Sequence, residues 1–186
     1  DILQFRPGRM LNGSFDEDLQ ESSEGKIHCI LLTTMSQTGQ HRVLISRHFD
    51  GSNRAEQAEW EGKMFEAANQ DLGIIKDDEE QMVAFVQGRL VLFTQVADLV
   101  IYVSGSGVHD ELVLSELLTS IIAVLRALIP KGPTGGGVLD QFPKVSFGIE
   151  EMVCGGNLEM MDTQRVLLGS GLKWDKKLKE GKEKEG

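Results

Sequence analysis

The chain has 186 residues, 40% hydrophobic and 26% charged, a globular balance that fits about one domain. Lys and Arg number 19 against 29 Asp and Glu, a formal net charge of −10. That charge argues against nucleic-acid binding, which draws its affinity from cations on phosphates, and against direct docking on an anionic leaflet.

Residues 1–25 carry six acids against Arg6 and Arg9 and show no sustained periodicity; they read as a flexible acidic N-terminal arm. The apolar mass lies in residues 26–172, the expected domain. It opens with 26–35, which holds Ile30-Leu31-Leu32. A turn signal at 36–40 and a second run at 41–49 follow, so the pair reads as a β-hairpin. Residues 53–72 place Trp60, Met64, Ala67 and Ala68 at helical spacing, which predicts an amphipathic helix with Ser52 as candidate cap and Gly73 as stop. Strands are expected at 81–87 and 89–96, separated by Gly88. The continuously apolar run 99–103, containing Leu99, Ile101 and Val103, fits a central strand buried on both faces.

Residues 110–129 read as a helix that is apolar nearly all round, ended by Pro130, Gly132 and Pro133. Its stretch 112–129 is interrupted by Ser115, Glu116, Thr119, Ser120 and Arg126, so it does not meet the needs of a bilayer span. Leu118, Ile122 and Leu125 are taken as core together with the 99–103 strand. A second apolar stripe on this helix needs cover either from the next helix or from another chain. Gly135-Gly136-Gly137 reads as a flexible joint, 138–153 as a further helix with Pro143 near its start, and Gly155-Gly156 as its stop. A short segment to Leu168 closes the domain. Residues 173–186 hold six Lys and four acids and read as a solvated, charged C-terminal tail. The order predicts an α+β domain: a five-stranded, mainly antiparallel sheet packed by three helices.

Cys29 and Cys154 make no disulfide framework, and no secretory leader is evident; a reduced, cytoplasmic setting is expected. Gly105-Ser106-Gly107-Val108-His109-Asp110 follows a strand and opens a helix, as a dinucleotide-binding turn would. Asp110 and Glu111, however, put negative charge where a pyrophosphate would sit, and the residues favour a tight turn whose acids complement the helix dipole. His28, His41, His48 and His109 show no metal-ligand spacing. No cofactor is expected, and an enzyme using the 105–110 turn is the remote alternative.

Residues 90–114, with Asp98-Leu99-Val100-Ile101-Tyr102-Val103-Ser104-Gly105-Ser106 and Asp110-Glu111-Leu112-Val113-Leu114, resemble the zeta subunit of the COPI coatomer. So do Ile149-Glu150-Glu151-Met152-Val153-Cys154-Gly155-Gly156 with Leu158-Glu159, and the strand Arg42-Val43-Leu44-Ile45-Ser46-Arg47. The resemblance runs over roughly 26–168 and implies a longin-type domain without catalytic activity. It implies a large gamma-like coat subunit as direct partner, an Arf-family GTPase and Golgi or transport-vesicle membranes as indirect ones, and a role in ER–Golgi traffic. The sigma subunits of clathrin adaptors and the small subunit of TSET/TPLATE complexes share the fold and differ in partner. Sigma-like subunits bind acidic dileucine signals, and by that resemblance Arg42 is a candidate cargo contact; the plainer reading is a solvated strand charge.

Overall fold

A computed structural model describes residues 25–36, 38–72, 80–106 and 111–169. Its strands are β1 (Lys26–Met35), β2 (His41–His48), β3 (Gln81–Val86), β4 (Arg89–Val96) and β5 (Leu99–Ser106). They form one sheet in the order β2-β1-β5-β4-β3, and every neighbouring pair is antiparallel. The helices are α1 (Arg54–Leu72), α2 (Glu111–Leu128), α3 (Gly135–Asp140), α4 (Phe142–Met152) and α5 (Thr163–Gly169), with a small hairpin of β6 (Val153–Cys154) and β7 (Asn157–Leu158) before α5. The α+β, five-stranded antiparallel architecture agrees with the sequence reading. The domain's expected end at 172 and the flanking residues 1–24 and 173–186 lie outside the described residues.

Strand alternation sends side chains to two faces, and here each face carries its own core. On one, Ile30, Leu32, Ile45, Leu92, Leu99, Ile101 and Val103 pack with α2, α4 and α5; Leu118, Ile122 and Leu125 belong to this cluster. On the other, Leu31, Val91, Phe93, Val100 and Tyr102 pack against Trp60, Met64, Ala68 and Leu72 of α1. The seven residues Leu99–Gly105 of β5 are all buried. Each such aliphatic side chain contributes roughly 1.5–3 kcal/mol on leaving water. The core therefore extends beyond the 99–103 strand and the 112–129 helix to a second layer under α1.

Most of the apolar excess of α2 is covered within the chain, and Leu112 in its first turn stays exposed. Leu114, Leu117, Leu118, Ile121, Val124 and Leu125 are at most 2% exposed, and α4 and α5 both pack on this helix. Gly148 of α4 marks the crossing, for a Cβ there would stand 3.2 Å from Val124.

Four local expectations are corrected. The helix expected at 138–153 is two helices, α3 and α4, divided at Gln141 (φ −109°, ψ 20°) with a proline in the first turn of α4; proline lacks the N–H that a continuous helix needs. Gly135-Gly136-Gly137 is the first turn of α3, capped by Thr134, whose Oγ1 accepts from Gly137 N. A Cβ at Gly135 would collide with Thr34 Cγ2, and one at Gly137 with Ile129 Cγ2, so the run is a close-packing device. Asn53, not Ser52, caps α1: its Oδ1 accepts from Ala55 N and Glu56 N, and Glu56 Oε2 accepts from Asn53 N, a reciprocal capping box. Gly155-Gly156 does more than stop a helix. Both glycines adopt positive φ (58° and 87°) and turn the β6–β7 hairpin, and Gly156 O accepts from Ile27 N at 2.8 Å.

Candidate functional site

The turn at 105–110 begins inside the sheet. Gly105 is a β5 residue paired with Ile27 and Leu90, and Ser106 Oγ hydrogen-bonds His28 Nε2 at 2.7 Å. Residues 107–110, including His109 and Asp110, lie outside the described residues. The other histidines are tied into separate structural networks. His41 stacks on Phe65, with centroids 4.4 Å apart. It also hydrogen-bonds Asn69 Oδ1 (2.9 Å) and Thr33 Oγ1 (3.2 Å). Burial lowers the pKa of His41, and burial with the nearby Arg89 charge lowers that of His28. Among the described residues no group of three His, Cys, Asp or Glu is placed to hold a metal ion. None of the described helices is long and apolar enough to cross a membrane.

The edge strand β2 distributes its side chains between the two faces. Arg42, opposite Thr34 at the start of the strand, is exposed. Arg47 reaches α4, donating through Nη2 to Ser146 Oγ and pairing with Glu150 Oε1 at 3.1 Å. Ser46 and His48 point to α1, where both donate to Glu61 Oε1, at 2.9 and 2.8 Å. Since a carboxylate only accepts, His48 carries its proton on Nε2. Burial raises the pKa of Glu61, but the hydrogen bonds from His48 and Ser46 outweigh it and hold the group below its ordinary value.

Next to this network, at the N-terminal end of α1, lies a cavity of about 280 Å³ walled by His48, Asp50, Ser52, Glu56, Gln57, Glu59, Trp60, Gln87 and Arg89. Arg89 Nη1 donates to Asp50 Oδ2 at 2.7 Å, and its guanidinium carbon stands 5.9 Å from the Trp60 ring centroid. Burial works against ionising Asp50, yet hydrogen bonds from Ser52 and Arg89 bring its pKa down to about 2. Trp60 is 8% exposed, and its indole N–H is buried without a hydrogen-bond acceptor. Sequence reading placed Trp60 on the buried side of α1 but missed Asp50 and Arg89, which are 39 residues apart in the chain. The hint was positional: both flank element ends that the hairpin pattern brings to one end of the sheet.

The large apolar side chains left on the surface do not sit on α1. Among the described residues they are Val43 on β2, Phe85 on β3, Leu112 on α2, Leu139 on α3, Phe142 and Phe147 on α4, and Leu168 on α5. Such side chains are the raw material of a protein interface.

No protein-family model matches the chain. It is 28% identical over 138 residues to the TSET complex member tstD of Dictyostelium discoideum, a match covering 74% of this chain and 89% of that protein. It is 25% identical over 128 residues to the human coatomer subunit zeta-2, covering 68% of this chain and 57% of that protein. The fold matches a chain of the full-length AP-3 complex in a stretched open conformation with a TM-score of 0.52 at 14% identity, covering 84% of this chain and 95% of that one. The chain is thus homologous to a TSET complex member and to a coatomer zeta subunit, and it shares its fold with a chain of an adaptor complex.

Proposed function

We propose that this chain is a non-catalytic small subunit of a vesicle coat, working as a rigid partner of a large coat subunit, and that the coat is of the TSET type. The observation that carries the reading is the match to tstD, which spans 89% of that protein at 28% identity. The coatomer match is 25% identical and spans 57% of zeta-2. A COPI zeta-like role, with a gamma-like large subunit, an Arf-family GTPase as recruiter and Golgi membranes as destination, is the second reading and draws its support from that match. In either case the membrane is reached through partners, in keeping with the charge of −10. Arg42, exposed at the start of β2, remains a candidate contact for an acidic peptide, since a guanidinium pairs a carboxylate bidentately.

Co-expression separates the two coats. The chain is produced with the large subunit of a TSET-type complex or with the gamma-like trunk of coatomer, and each mixture is run on a sizing column. The proposal expects a 1:1 complex with the TSET-type subunit. A 1:1 complex with the gamma-like trunk alone moves the chain to COPI, and no complex with either overturns the proposal.

A further inference from the structure

The two edges of the main sheet differ in character. At one edge, β2 carries Arg42 and Arg47, packs against α3 and bulges at Leu44, with Leu32 opposite Ile45 but Thr33 opposite Val43. Charge, cover and a bulge are devices that blunt an edge. At the other edge, β3 reads Gln-Met-Val-Ala-Phe-Val, without a charge, a proline or a glycine, and its register with β4 is unbroken. We infer that β3 is a docking edge, and that its occupant is an extended segment of a partner protein. The segment carries apolar side chains at alternate positions and lysine or arginine at its flanks, and it joins the five-stranded sheet as one further strand.

The backbone selects the occupant first. Gln87 and Gly88, both at positive φ (51° and 79°), form the two-residue turn between β3 and β4. Val86–Arg89, Ala84–Val91 and Met82–Phe93 are therefore the hydrogen-bonded pairs. The N–H and C=O groups of Gln81, Val83 and Phe85 then point away from β4, and among the described residues no backbone group answers them. Another extended backbone matches that two-residue spacing. Side chains set the pattern along the segment. Phe85 is 76% exposed, on the sheet face where Gln81 Nε2 donates to Thr119 Oγ1 of α2 at 3.0 Å. Leu112, 67% exposed, lies earlier on that stripe of α2, and Val83 and Leu90 are half-buried beside Phe85. An added strand places every second side chain on this face, where apolar ones leave water. Charge sets the flanks. Glu80, immediately before β3, and Glu111 and Glu116 of α2 are exposed. Basic flanks are drawn to them, whereas a second copy of this chain, also at −10, is repelled.

The isolated chain suffices for the test, so this inference and the coat-subunit reading fail separately. The probe is acetyl-Lys-Val-Thr-Val-Thr-Val-Lys-amide. One control has its valines N-methylated, which removes the donors that would face Gln81, Val83 and Phe85; the other has Glu at both ends. The readout is amide hydrogen exchange followed by NMR. At saturation the Lys-flanked peptide is expected to slow exchange at Gln81, Val83 and Phe85 about tenfold or more. Met82, Ala84 and Val86, already bonded to β4, are expected to stay unchanged. Phe85→Lys, which blunts the edge at an exposed position, is expected to weaken the peptide about tenfold at an unchanged melting temperature. If that variant melts lower, the N-methylated peptide decides. Protection without the alternation, equal binding of either control, undiminished binding by a stably folded Phe85→Lys, or no saturable binding overturns the proposal. So does protection of the same three amides on raising the chain's own concentration without peptide, which would make the occupant a second copy.

Discussion

Two kinds of titratable residue pull stability in different pH windows. Asp50 ordinarily titrates at 3.8 and here at about 2, and Glu61 lies below its ordinary 4.5. Both hold their protons less tightly folded than unfolded, so their contribution is full above the unfolded values and is lost as pH falls toward 2. His28 and His41 also lie below their ordinary 6.5, because a buried imidazole resists the charged form. They cost nothing above pH 6.5, and the folded state loses stability as pH drops below it. Melting temperature is therefore expected to fall in two stages on acidification, first below 6.5 and again below about 4. In thermal melts, His41→Gln should flatten the first stage and Asp50→Asn the second; a variant that leaves its stage untouched would contradict the assignment.

At the scale of elements, the glycine run at the start of α3 makes a discriminating prediction. The atoms that a Cβ at Gly135 or Gly137 would strike are the Cγ2 methyls of Thr34 and Ile129, both β-branched side chains that are stiff about χ1. Gly135→Ala and Gly137→Ala should each cost about 1–3 kcal/mol in urea unfolding. Gly136→Ala meets nothing within 4 Å and should be neutral or stabilising by about 0.4–1 kcal/mol. Gly156→Ala combines φ +87° with the Ile27 carbonyl oxygen at 3.0 Å and should destabilise as well. Equal effects along 135–137 would return the segment to a loose joint. These contacts were invisible in sequence because a glycine run looks alike whether it flexes or packs. The strands were legible because period 2 and continuous apolar runs report burial directly, and α1 because Trp60, Met64 and Ala68 keep helical spacing. The split at Gln141 was not, since the α3–α4 corner preserves an apolar rhythm across the break. The Asp50–Arg89–Trp60 cluster escaped for a further reason: its members come from the β2–α1 loop, the start of β4 and α1, and only the finished fold brings them together.

For the molecule as a whole, the sheet buried on both faces predicts that a charge cannot be absorbed in either core. Leu118 is 0% exposed among α2, α4 and sheet residues. Leu118→Ala should cost about 2–5 kcal/mol, and Leu118→Asp should abolish the cooperative melt by leaving a buried charge unpaired. With its cores closed within one chain, the domain leaves on its exterior the apolar side chains of α3, α4 and the sheet edges. Assembly with a large coat subunit is the claim of the proposed function that matters most. The most direct measurement is a native pull-down of the tagged chain from its own cells, with co-purifying proteins identified and counted by mass spectrometry. The account predicts a large coat subunit in stoichiometric amount. Recovery of the chain with no large coat subunit beside it would contradict the account.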